Sequence, residues 1–508
     1  MLAKLKSLSL DGLIGYAVDV EVDISSGLPA YELVGLASTA TKESKERVRS
    51  AIKNSGYFYP TKRITVNLAP ADTKKEGPSF DLPIALGILA ASSQIEGKAY
   101  KDYAFVGELS LDGKLRHVNG IMPILISALQ NGQKRFVIPK DNAREASFID
   151  GIEVYAFETL KGVVDFLEGE EVESVKTSSY SSACLARDYG IDFADVKGQA
   201  VAKRALEIAV AGGHNVLMIG PPGAGKTMLA KCVPTIMPEM TFEEAVEVTK
   251  VHSVAGILDS SVGIVTTRPF RTPHHTTTVP ALIGGGTKAR PGEVSLANHG
   301  VLFLDEMPEY SRHALETLRQ PLEDRKVTVS RVAQSIEYPA NFMLIASMNP
   351  CPCGNFGSKT QICRCTPQQI HNYVSKLSGP LMDRIDLQIE VDNITYDEFR
   401  TRAEAETSAT IKARIDAVRA IERERFKNDG ILTNAEMSPA QINKYCKIDK
   451  DSERLLQKAF ERLNLSARGT TRILKVARTI ADMEGAPDIK PQHIAEAIQY
   501  RGLDRKYN

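Results

Sequence analysis

The chain has no stretch of the roughly 18 uncharged apolar residues that a helical membrane span requires, and none is expected among its 508 residues. It has no net charge either: Lys and Arg total 63, and so do Asp and Glu. Binding to a polyanion through overall charge is thereby excluded, and any nucleic-acid contact must come from a local patch. The first twenty residues carry Lys4, Lys6 and Asp11 without a sustained apolar core, so no secretory signal is expected. Nor are the cysteines the even set of a secreted disulfide framework. Seven of them in a long chain point to a reducing cytoplasm. Tryptophan is absent, yet the rest of the composition, 43% hydrophobic and 25% charged, is that of an ordinary globular protein. The length suggests about three domains.

What is present is more specific. Gly220-Pro221-Pro222-Gly223-Ala224-Gly225-Lys226-Thr227 is a complete P-loop. It follows the apolar run 216–219, which reads as a buried strand, and precedes 228–233, which reads as the start of a helix. The glycines let backbone N–H groups turn inward around a polyphosphate, and the helix N-terminus adds its positive dipole end. Lys226 would reach the β- and γ-phosphates, and the Thr227 hydroxyl would help hold Mg²⁺. Downstream, Val301-Leu302-Phe303-Leu304-Asp305-Glu306 has the form of a Walker B strand. Asp305 would orient the Mg²⁺ shell and Glu306 would polarise the attacking water as general base. A further apolar strand, 342–347, leads to Asn349, whose amide could fix that water or read the γ-phosphate. Glu directly after the Walker B Asp points to ATP hydrolysis rather than a GTP switch.

Three blocks separate. Residues 1–168 alternate strand-like and helix-like runs. Residues 169–187 are acidic and then Ser-rich, which reads as a linker. Residues 188–393 carry the nucleotide chemistry. Residues 394–508 have helical periodicity, with Pro439 and Pro491 near helix starts, and read as an all-helical domain.

The last two blocks together resemble AAA+ ATPases. The segment 192–199, with Val196 and Gly198, is similar to the one that packs on adenine ahead of the P-loop. Phe270 to His275 and Ala281 to Gly286 look like the helix-2 insert of the magnesium-chelatase, MCM and dynein-like clade. Lys326 to Arg331 looks like its pre-sensor-1 hairpin. Ser378 to Asp386, with Arg384, resembles its arginine-finger segment, and Ser466-Ala467-Arg468 its sensor-2 segment.

The N-terminal block resembles the proteolytic domain of Lon at Glu76-Gly77-Pro78-Ser79 and Gly107 to Gly113. Lon pairs Ser with a Lys in a Gly-Gly-x-Lys segment, and Met122 stands where that Lys would be. Ser79 without a base is a poor nucleophile, so peptidase activity is not expected. Lon-like block, AAA+ core and paired Cys-x-Cys together resemble the ComM (YifB) family of magnesium-chelatase-like proteins. The resemblance implies an α/β fold: a Lon-protease-like (ribosomal S5 domain 2-like) N-terminal domain, an AAA+ P-loop domain, and an all-helical lid. It further implies a cytoplasmic homo-hexameric ATPase, using ATP and Mg²⁺, that drives DNA branch migration during transformation. Arg384 would act on a neighbour's nucleotide, and Lys326 and Arg331 would grip single-stranded or branched DNA through phosphates.

Secondary signals remain open. Cys351, Cys353, Cys363 and Cys365 could close a structural Zn²⁺ site, or be reduced thiols or a redox pair. Cys184, Cys232 and Cys446 read as isolated cysteines. His274 and His275, being adjacent, read as a loop that contacts a DNA strand or a neighbouring subunit rather than a chelate. The basic run with Lys42, Lys45, Arg47, Arg49, Lys53, Lys62, Arg63, Lys74 and Lys75, set against Glu43, Glu46 and Asp72, encloses Tyr57, Phe58 and Tyr59. It could stack bases, or be a solvated helix face beside core aromatics. The competing functional class is a chelatase-type ATPase that remodels a partner protein.

Overall fold

Alternating apolar residues bring the first two strands together. The computed structural model describes residues 1–36, 41, 43–71, 73, 75, 77–96, 98–183, 189–286, 289–330, 335–357, 361–393, 406–463 and 465–501. The expectations placed on Lys42, Asp72, Lys74, Glu76, Cys184 and Arg331 lie outside these residues. In β1 (Leu2–Asp11), Ala3, Leu5 and Ser7 turn inward while Lys4 and Lys6 turn out. In β2 (Ile14–Ser25), Val18, Val20 and Val22 are buried. The two pair antiparallel from Leu2↔Asp23 to Asp11↔Ile14, a register that puts both apolar sets on one face.

The chain forms two units, Met1–Leu185 with Thr241–Thr266, and Ala186–Met240 with Thr267–Asn508. In the first, β1 and β2 join β3 (Ala30–Val34), β4 (Arg63–Ala69) and β5 (Ala104–Phe105). A small hairpin, β6 (Glu108–Leu109) with β7 (Leu115–Arg116), stands apart, and β8 (Arg135–Pro139) and β9 (Glu153–Phe157) complete the sheet. Its order is β3-β4-β2-β1-β5-β8-β9, parallel from β1 through β9 and antiparallel between β1, β2 and β4. The helix Asp81–Ala91 is buried at every position, which explains its lack of a polar face.

Two stretches differ from the block boundaries expected above. The expected linker is held along the first unit over its described part. Val175 N–H donates to the Val154 carbonyl at 2.7 Å and Ser178 N–H to Ser147 at 2.8 Å, which fixes the backbone beside β9. The segment Thr241–Thr266, expected within the nucleotide block, packs in the first unit. Its helix Phe242–Ala255 opens with a Thr241/Glu244 capping box. Near its end, Ser253 Oγ donates to Glu145 at 2.5 Å and accepts from Gly120 N–H at 2.9 Å. Burial pushes the Glu145 carboxyl up, while Ser253 and the Met122 N–H, bonding its oxygen, pull it back.

The second unit holds a five-stranded parallel sheet. Its strands are β10 (Val216–Ile219), β11 (Phe270–Arg271), β14 (Val301–Leu304), β17 (Met343–Met348) and β18 (Leu387–Glu390), in the order β11-β14-β17-β10-β18. Between them in sequence lie two hairpins: β12 (Gly284–Gly285) with β13 (Arg290–Pro291), and β15 (Lys326–Ser330) with β16 (Ser335–Pro339). Buried on both faces, β10 and β14 are wholly apolar, as parallel central strands must be. The helices Ser408–Phe426, Pro439–Tyr445, Lys450–Leu463, Ala467–Met483 and Pro491–Gln499 follow, with Pro439 and Pro491 each opening its helix. Among the described residues, no helix is long and apolar enough to cross a membrane.

Candidate functional site: the P-loop at the carboxyl ends of the strands

Strand order sets the site. The P-loop strand β10 and the Walker B strand β14 both pair with β17, in registers that align Ile219 with Met348 and Leu304 with Ala346. The loops leaving all three strands therefore emerge side by side at their carboxyl ends, where open α/β sheets bind ligands. Gly223 and Gly225 have φ of 81° and 88°, left-handed values that turn the loop into the N-terminus of the helix Lys226–Ile236.

Lys226 is 9% exposed, and its Nζ donates to the carbonyls of Gly220 at 2.7 Å and Pro221 at 2.9 Å, and to Asn349 Oδ1 at 3.2 Å. Burial lowers its pKa, against the pull of Asp305 and Glu306. An ammonium satisfied only by neutral oxygens in a half-desolvated loop suits an anionic phosphate. Thr227 Oγ1 donates to Asp305 Oδ2 at 3.0 Å. This pair of hard oxygens fits Mg²⁺, with Thr227 and Asp305 as the residues that would hold it. Bound Mg²⁺ neutralises phosphate charge.

The sequence reading missed Ser347. This residue is fully buried, and its hydroxyl donates to Asp305 Oδ1 and accepts from the Glu306 N–H at 3.1 Å. It thus orients the Asp305 carboxylate and helps hold Glu306, which sits at φ 51°. The available signal was a polar residue, Ser347, inside the otherwise apolar strand Met343–Met348. Gln199, the last residue of the 192–199 segment, donates from Nε2 to the carbonyls of Ala224 at 3.3 Å and Asp392 at 2.6 Å, tying the loop to the segment ahead of it. Val196 is buried there and Gly198 has φ 60°. Asp192 anchors the same segment by accepting from the N–H groups of Ala194 at 2.8 Å and Ser408 at 3.0 Å.

Arg384 and Arg468 form a second cluster. Arg384 is 7% exposed, donates to the Pro380 carbonyl at 2.6 Å and pairs with Glu323. Arg468 lies 3.6 Å from the other oxygen of the same carboxylate. Next to them Arg472 pairs with Asp386. Burial alone would raise the Asp386 pKa, but Arg472, His214 and the Asn215 N–H together hold it well below the usual carboxylate range. Arg384, Glu323, Arg319 and Glu316 line one cavity of about 540 Å³.

The four-cysteine cluster is also assembled. Sγ distances are 3.4 Å for Cys351–Cys353, 3.7 Å for Cys351–Cys363 and 3.7 Å for Cys353–Cys363. All four ligand atoms, Cys365 included, lie within 4.8 Å of one another. A tetrahedral ion with Zn–S bonds of about 2.3 Å needs sulfurs about 3.8 Å apart, a spacing the Cys351–Cys363 and Cys353–Cys363 pairs approach at 3.7 Å. Backbone N–H groups of Arg364 and Asn355 lower the Cys353 thiol to about 6. Cys232 and Cys446 are free and buried.

Other expectations sort as follows. Tyr57 and Tyr59 pack on the core of the first unit, whereas Phe58 is 65% exposed. Arg47 is engaged by buried Asp81 at 2.8 Å. His274 and His275 stack at 4.1 Å, with His274 Nδ1 on Thr276 Oγ1 at 2.9 Å, a local loop contact. Arg271 is held by Glu293 through contacts of 2.7 and 2.8 Å. Lys326 pairs with Pro339 at the base of its hairpin and contacts Glu337 at 2.8 Å, so it does not stand at the tip. Met122 is fully buried, consistent with an apolar role in place of a catalytic base.

Three family profiles match the chain: "Magnesium chelatase, subunit ChlI" over residues 192–399, "Magnesium chelatase, subunit ChlI C-terminal" over 405–501, and "Subunit ChlI of Mg-chelatase" over 20–142. The chain is 45% identical over 496 residues to competence protein ComM of Haemophilus influenzae, covering 96% of this chain and 95% of that protein. It is 44% identical to YifB of Escherichia coli, covering 96% and 94%. Lon protease 2 of Bacillus subtilis is 28% identical over 168 residues, 30% of each chain. A magnesium-chelatase-type AAA+ core following a Lon-like block, matched over 96% of the chain by ComM and YifB relatives, places this chain in the ComM/YifB family.

Proposed function

We propose that the chain is an ATP-hydrolysing motor that acts on DNA as a homo-hexamer in the cytoplasm, moving branched junctions during uptake of foreign strands. The observation that carries this reading is the similarity along nearly the whole chain to a relative named as a competence protein. The nucleotide site supplies the drive. Lys226 and the loop amides hold the phosphates, Asp305 and Thr227 hold Mg²⁺, and the Glu306 carboxylate takes a proton from the attacking water that Asn349 positions. Arg384 and Arg468 share the carboxylate of Glu323. The likeness of residues 378–386 to an arginine-finger segment supports action of Arg384 on a neighbouring subunit's nucleotide, so hydrolysis depends on assembly. Zn²⁺ in the four-cysteine loop completes the reading as a structural ion. The hairpin Lys326–Pro339 is the candidate DNA grip, through phosphates rather than bases.

ATP turnover measured with and without single-stranded and branched DNA tests this reading. Stimulation that falls steeply with salt and ignores sequence is expected. A ring that turns over ATP at one rate regardless of DNA would favour a chelatase-type ATPase that remodels a protein partner.

A further inference from the structure

The cysteine loop is bracketed by the catalytic machinery on three sides. Upstream, Cys351 follows Asn349 by two residues, and Asn349 is the acceptor for Lys226 Nζ. Downstream, Cys365 adjoins Thr366, which caps the helix Pro367–Val374 through a reciprocal box with Gln369. That helix carries Tyr373, 6% exposed, whose hydroxyl hydrogen-bonds the Asn349 backbone. Just beyond, Lys376 lies 3.7 Å from Glu309 in the turn after the Walker B strand. In the middle, Gly354 lies against the P-loop: a Cβ built there would fall 2.5 Å from Pro222 Cδ, and its φ of 80° is left-handed. Gly354 N–H donates to the Cys351 carbonyl at 2.9 Å, which fixes that turn to the first cysteine.

Much of the loop's described surface is exposed. Of its described side chains Cys351 is buried, while Pro352, Cys353 and Gln361 are exposed and Ile362 is 89% exposed. A segment without a core of its own takes its order from a bound ion. We infer that Zn²⁺ bound by Cys351, Cys353, Cys363 and Cys365 positions Asn349 and the Pro222 turn, so that ATP hydrolysis, more than ATP binding, depends on the metal. This rests on the zinc reading above. The phosphate cradle itself is secured elsewhere, by Lys226 on the loop carbonyls and by the buried helix behind it. Asn349 lies just past the end of its strand at Met348, two residues before the first cysteine, and its side-chain oxygen accepts from Lys226 Nζ at 3.2 Å. Metal loss therefore displaces the water-positioning group first.

The test uses the full chain. Zinc is measured by elemental analysis, then displaced with a thiol-specific mercurial and restored with dithiothreitol plus Zn²⁺; kcat and the ATP dissociation constant are read in each state. The expected result is one zinc per chain, a kcat about 10- to 100-fold lower without it, an ATP affinity little changed, and recovery on restoration. A chain that neither carries nor takes up zinc overturns the zinc reading itself. A chain whose zinc leaves without lowering kcat overturns the positioning inference alone, as does a parallel loss of affinity and kcat. Gly354→Ala gives a second measurement that leaves all four ligands in place. It should keep its zinc and lower kcat, and an unchanged kcat would contradict the contact at Pro222.

Discussion

Replacing Ser347 by alanine removes one hydroxyl and alters two groups that matter. The hydroxyl is fully buried, donates to Asp305 and accepts from the Glu306 N–H. Asp305 would keep only its Thr227 contact at 3.0 Å, and the Glu306 amide would lose its acceptor. A hydrogen bond to a charged group contributes about 1.5–3 kcal/mol. If that orientation energy is expressed in the transition state, kcat/KM falls about 10- to 150-fold. Part of the same interaction exists before ATP arrives, so a lower melting temperature accompanies the loss. Steady-state ATPase measured over a matrix of ATP and Mg²⁺ concentrations reads the effect, with a higher Mg²⁺ requirement expected because Asp305 is less well aimed. Ser347→Ala within twofold of wild type, beside an inactive Asp305→Asn control, would refute the reasoning.

Arg384→Ala should bind ATP normally and hydrolyse it poorly; mixing it with Lys226→Ala subunits should restore part of the turnover, because mixed rings contain interfaces with both groups intact. No recovery under conditions of subunit exchange would remove Arg384 from action in trans. Burial pushes the Glu422 carboxyl up to about 8, only partly offset by Arg419 and the Asn434 N–H. Its contribution to stability is therefore full below its ordinary value of 4.5 and is lost as pH rises through about 8. Glu422→Gln should accordingly show a flatter fall of melting temperature across that window; parallel wild-type and variant curves would contradict the assignment.

Which parts were legible in the sequence follows from how local each signal is. The P-loop, Asp305-Glu306 and Asn349 each end an apolar strand, and strand plus motif lie within a few residues of one another. The cysteines were legible for the same reason, and their sulfurs do converge. Ser347 was not, because its partner Asp305 lies 42 residues away and a serine in a strand carries no mark of that. Glu323 holds Arg384 across 61 residues, a link no local pattern announces. The helix Phe242–Ala255 lies, in sequence, inside the block expected to carry the nucleotide chemistry. Its place in the first unit depends on Ser253 meeting Glu145, 108 residues earlier. The acidic and Ser-rich stretch reads as a linker by composition, yet its backbone N–H groups find carbonyls beside β9, a contact composition does not encode.

The most direct test of the motor reading is movement of a three-stranded DNA junction by the purified chain with ATP and Mg²⁺, beside Glu306→Gln. The account predicts that wild type shifts the branch point only when ATP is hydrolysed. Glu306→Gln should still bind ATP and DNA but leave the junction in place. Wild type that hydrolyses ATP at full rate, with DNA present, and never moves the branch would contradict it.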